Sequence, residues 1–128
     1  MEEQIKRQMD YFDKFTRAYL AALEPSDVQH MLLARIATAR LTIEPDHDVF
    51  NSLAVAQMHD PDMLVAIRKK SAADVQRIKE EATDPDLALL HWEAAQGLAL
   101  SALLGLCPLL NDERDRLFDR LRAETQKT

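Results

Sequence analysis

Residues 84–107 read DPDLALLHWEAAQGLALSALLGLC, and this run decides the architecture. It opens on a helix start. Asp84 is placed to cap, Pro85 sits at the first turn where its missing N–H is not needed, and Asp86 is favoured by the helix dipole. Behind it Leu87, Leu90, Ala94, Leu98 and Ala102 make one apolar stripe. Leu89, Trp92, Leu100, Leu103 and Leu106 cover much of the remaining circumference, and no charge occurs from Ala94 to Cys107. A helix that is apolar nearly all round needs partners on more than one side. Small residues (Ala94, Ala95, Gly97, Ala99, Ser101, Ala102) admit a close neighbour. Two arrangements satisfy this helix. It is the central post of a monomeric bundle, or it turns one face inward and one toward a second copy, twofold homodimers being the commonest soluble oligomers.

The other prolines punctuate the chain in the same manner. Asp60-Pro61-Asp62 repeats the cap-and-proline start, Ser26-Asp27-Val28-Gln29 has capping-box spacing, and Asn111-Asp112-Glu113 opens a last segment. With Pro45 and Pro108 as further breaks, the spacing predicts six helices over about 2–23, 26–42, 46–59, 61–82, 85–106 and 111–125. Ile5, Met9, Phe12, Tyr19 and Leu23 stripe the first helix. Val28, Leu32, Ile36 and Ala39 stripe the second, and Leu64, Ile67, Val75 and Ile78 the fourth. These read as one-faced helices on the outside of a bundle.

Composition agrees with an all-α fold. The chain has 128 residues, suited to a single domain over 1–128, and 47% of them are hydrophobic, enough for a real core. Its two glycines supply neither the turns of a β-sandwich nor a phosphate-cradling loop. A net charge of −6 argues against holding a nucleic-acid backbone unaided. The single cysteine, Cys107, excludes an intrachain disulfide and fits a reducing compartment. The start of the chain has no signal-peptide core, and the longest nearly uncharged run is too short and broken for a membrane span. A cytoplasmic protein without membrane attachment is expected.

No catalytic constellation stands out, and neither enzyme activity nor a metal or cofactor is expected. None of His30, His47, His59 and His91 lies four residues from another, which removes the helical metalloprotease pair. Asp46-His47-Asp48 reads as a helix start with a solvated histidine, and His59 as part of a cap. His91 is open between a hydrogen-bonded core group, an interface group and a pocket group. Cys107 is away from any helix N-terminus and reads as an inert thiol.

The stretch from Leu53 to Glu124 resembles the C-terminal domain of TetR-family transcriptional regulators. The similarity lies in the run from Asp84 to Leu100, continues through Leu103-Leu104-Gly105-Leu106-Cys107-Pro108-Leu109, and reaches Asp112-Glu113-Arg114-Asp115-Arg116-Leu117. The opening Asp60-Pro61-Asp62-Met63-Leu64 is similar too, while Gln96 stands where members commonly have Asp. The resemblance implies that the last two helices form a four-helix interface with a second subunit. It also implies a pocket for a small, often apolar effector that shifts a helix-turn-helix pair off DNA. Such a DNA reader is not read in these 128 residues, so DNA binding is expected only through a missing N-terminal domain.

The residues expected at the dimer interface are Leu90, Ala94, Gly97, Leu98, Ser101, Leu117, Phe118 and Leu121. Effector pockets favour Met and aromatic side chains with a few placed polar groups. Met31, Arg35, Phe50, Met58, Trp92 and Gln96 fit that description, although Met fills gaps in ordinary cores and Arg35 also suits a snorkelling role. The alternative reading is a stand-alone homodimeric interaction protein without a pocket.

Overall fold

The computed structural model describes residues 2–44 and 61–127. The helix expected over 46–59, with Phe50, Met58, His47 and His59, lies outside the described residues, as does the side chain of Ile5. Among the described residues there are five helices and no strand: α1 (Glu2–Ala22), α2 (His30–Thr42), α3 (Pro61–Glu81), α4 (Pro85–Leu103) and α5 (Asn111–Lys127). None of these helices is long and apolar enough to cross a membrane.

The central post is α2, not the helix of residues 85–103. It packs against α1, α3, α4 and α5 alike. Its residues Leu32, Leu33 and Ala34 are essentially fully buried. The expectation of a one-faced outer helix here overlooked how small its other side is. Ala34 and Ala37 present no bulk, and Thr38, buried there, returns its hydroxyl to the Ala34 carbonyl at 2.8 Å. A satisfied hydroxyl is tolerated where an unpaired one costs about 1–3 kcal/mol. Ile78, Ala88, Ala95 and Phe118 close the core around this post.

Helix ends show which signals are local. At α4 the expected start holds: the Leu87 N–H donates to Asp84 Oδ1 at 3.2 Å, with Pro85 in the first turn. Its end comes at Leu103 rather than near 106, because Gly105 adopts φ 70° and closes the helix. The Leu106 N–H reaches the Ser101 carbonyl at 2.8 Å and the Gly105 N–H the Ala102 carbonyl at 3.2 Å. This paired bonding satisfies the last carbonyls and favours glycine at the left-handed position.

At α2 the expected capping box is displaced. Asp27 Oδ2 accepts the Glu24 N–H at 2.8 Å and the Asp27 N–H returns to the Glu24 carbonyl at 2.9 Å, so this aspartate closes a turn across Pro25. The helix begins only at His30. Its exposed N–H groups are met from afar: the Met31 N–H donates to Glu81 Oε1 at 2.9 Å. Gln29, at φ 55°, sends Nε2 to the Thr125 carbonyl at 3.0 Å, which ties the start of the post to the end of α5. At α5 the reciprocal bond runs from the Leu110 N–H to Glu113 Oε1 at 2.9 Å.

Candidate functional site

The α4 helix has two working faces. Ala88, Ala95 and Ala99 point inward, each at most 7% exposed, and their small size lets α2 approach closely. At 100° per residue, Leu90, Gly97 and Ser101 fall on the opposite side. Leu90 is 66% exposed there. Across the outer face α4 and α5 enclose an open groove of about 410 Å³. Ala94, Gly97, Leu98 and Ser101 line it from α4, and Leu117, Arg120 and Leu121 from α5. A Cβ added at Gly97 meets nothing within 4 Å, so the groove wall is vacant at that point.

Of the residues expected at a dimer interface, six thus come together in this groove, and Leu90 lies on the same face of α4. Phe118 does not. It is 1% exposed and belongs to the chain's own core. Leu117 and Phe118 are neighbours in sequence and 100° apart on the helix, so one faces out when the other faces in.

Of the residues expected at an effector pocket, Met31 is buried in the core and Trp92 packs on that core from α4. Gln96 is half-buried one turn beyond Trp92. Arg35 does not snorkel to water. Its side chain is 20% exposed, and its Nε stands 3.8 Å from Asp74 Oδ2 on α3. Burial pulls the guanidinium below its ordinary range, and the Asp74 carboxylate works against that. The pairing across 39 positions left no sign in the sequence. Phe50 and Met58 fall outside the described residues.

His91 is half-buried with its Nδ1 enclosed and without a hydrogen-bond partner among the described residues, and His30 Nε2 lies 2.7 Å from the Asp27 carbonyl. Among the described residues no three His, Cys, Asp or Glu side chains gather as a metal site. Cys107 is the thiol expected to be inert. A hydrogen bond from the Leu109 N–H, against some desolvation and with help from Ser101 and Arg114, holds its thiol below the usual range. The alkylation rate of Cys107 by iodoacetamide is therefore expected to reach half its plateau at a lower pH than that of the same cysteine in the urea-unfolded chain. Arg114→Gln should move the folded chain's midpoint upward. A wild-type midpoint at or above that of the unfolded chain contradicts the assignment.

The family model for the tetracyclin repressor-like C-terminal domain matches residues 13–126, and the chain belongs to that family. No curated protein and no solved structure matches it. The match takes in all five helices described here, α1 from its second half onward.

Proposed function

We propose that this chain is the non-catalytic effector-binding and dimerising domain of a TetR-like cytoplasmic regulator. In this reading it senses a small, largely apolar molecule and acts on DNA only through a separate N-terminal reader. The observation that carries the reading is the outward apolar groove shared by α4 and α5, lined by six of the residues expected at an interface with a second subunit. Leu90 and Leu117 keep 66% and 43% of their surface in water, an exposure that a second copy would relieve. The effector is assigned to the region of Met31, Arg35, Trp92 and Gln96, together with Phe50 and Met58.

Two measurements on the chain test this. Sedimentation equilibrium is expected to give twice the 14.6 kDa chain mass. A thermal-shift screen of lipophilic compounds is expected to find stabilisers, since a ligand at 100 times its Kd adds about 2.7 kcal/mol. A monomer at micromolar concentration overturns the dimer. A dimer that no compound stabilises favours an interaction protein without a pocket.

A further inference from the structure

A second cavity lies on the far side of the post, where α1 crosses α2 beside α5. It encloses about 230 Å³. Leu33, Ile36 and Phe118, all at most 3% exposed, form its floor, and Phe15 and Tyr19 of α1 form one wall. Charge is confined to the rest of the lining, which includes two arginines, Arg40 and Arg122, and one acid, Glu44. Met31, Arg35, Trp92 and Gln96 line none of it.

The two arginines are in different states. Arg40 is engaged, with Nη1 2.6 Å from Asp119 Oδ1, Nη2 3.6 Å from Asp115 Oδ1, and its guanidinium 6.0 Å from the centre of the Phe118 ring. Arg122 reaches Asp119 only at 3.9 Å, beyond hydrogen-bonding distance, and its side chain is 56% exposed. An exposed ion pair that loose contributes little and yields easily to a better acceptor. Tyr19 adds a hydroxyl with no hydrogen-bond partner among the described residues. The cavity thus joins an apolar floor and an aromatic wall to a loosely paired cation and a hydroxyl.

We infer that this cleft between α1, α2 and α5 is a binding site for a small aromatic carboxylic acid, its ring on Phe15, Tyr19 and Phe118 and its carboxylate on Arg122. The size agrees. An apolar cavity of about 150 Å³ holds benzene, and the larger volume here admits a fused second ring. The aromatic walls suit offset or edge-on contact with a planar ligand. A carboxylate accepts two parallel N–H bonds from a guanidinium, a geometry that an alcohol or amide does not reproduce. Such a ligand touches α1 and α5 at once, so occupancy would fasten α1 to the body of the bundle. The contacts that already hold α1 include the Thr16–Thr38 hydroxyl contact at 3.0 Å and the Lys70–Asp13 ion pair.

The test uses 2-naphthoate, the matching neutral alcohol and the matching amine, titrated calorimetrically into the whole chain. Naphthoate is expected to bind, and the alcohol and the amine to bind at least about tenfold more weakly. Arg122→Gln, at an exposed position, should cost naphthoate about tenfold while leaving the alcohol unchanged. Ala37→Phe fills the cavity from its α2 wall and should abolish binding of the acid in a chain with unaltered helix content. Equal affinity for acid and alcohol, preference for the amine through Glu44, or binding that survives both substitutions overturns the assignment, as does no binding at all. None of these outcomes bears on the dimer or on the effector region around Arg35.

Discussion

Replacing Gly97 with leucine is expected to leave the chain folded and to split it into monomers. Within one chain the substitution is harmless, since an added Cβ at Gly97 meets nothing within 4 Å. Leucine even favours the helix, by up to about 1 kcal/mol over glycine in a helix interior. The penalty arises only when a second copy occupies the groove. A twofold interface repeats every substitution, so each dimer meets two added side chains where the partner needs close approach. Overpacking costs about 1–3 kcal/mol at each site, or roughly 2–6 kcal/mol per dimer. At 1.4 kcal/mol per tenfold, that weakens association by between about thirtyfold and twenty-thousandfold. Sedimentation of the variant beside the wild type measures the loss, and its thermal midpoint in dilute solution checks that the monomer is intact. Unchanged self-association would place the interface elsewhere. Leu117→Asp, on the opposite wall of the groove, should act in the same direction by putting a charge into a desolvated contact.

What was legible in the sequence follows the range of each interaction. Asp84-Pro85 and the residue pattern behind it act within one turn, and α4 begins where they say. The α2 start misled because its first-turn partner, Glu81, lies 50 residues away, and the local Asp27 serves a turn instead. Which helix forms the post was also hidden. Burial of α2 depends on what packs over Ala34, Ala37 and Thr38, and small residues are as compatible with an outer face as with a crowded one. The outward face of α4 was readable because Gly97, Ala94 and Ser101 leave a groove wherever they point, while Arg35 gave no hint of Asp74. The cleft under α1 was missed altogether. Its rings come from α1 and α5, about 100 residues apart, and its loosely paired arginine looks like any other charge in an arginine-rich terminal helix.

Phe118 separates the two readings of α5 most sharply, and Phe118→Ala is expected to destabilise the individual chain. The ring is 1% exposed, packs with Leu32, Ile36 and Ala95 in one core, and carries Arg40 over its face at 6.0 Å. Truncating a buried phenylalanine removes its transfer free energy and leaves a void that the helices only partly close, at a cost of about 3–5 kcal/mol. Against a total stability of roughly 5–15 kcal/mol, that is a large share. Urea denaturation should show a lower midpoint with an unchanged slope. The drop should persist at every protein concentration, because the lost contacts lie within one chain, whereas a defect confined to the interface fades on dilution. Leu117→Ala makes the control, since its side chain is 43% exposed and adjacent in sequence. It should leave the dilute midpoint within about 1 kcal/mol and act on assembly. A Phe118→Ala chain as stable as the wild type but unable to pair would turn the ring outward and restore it to the interface.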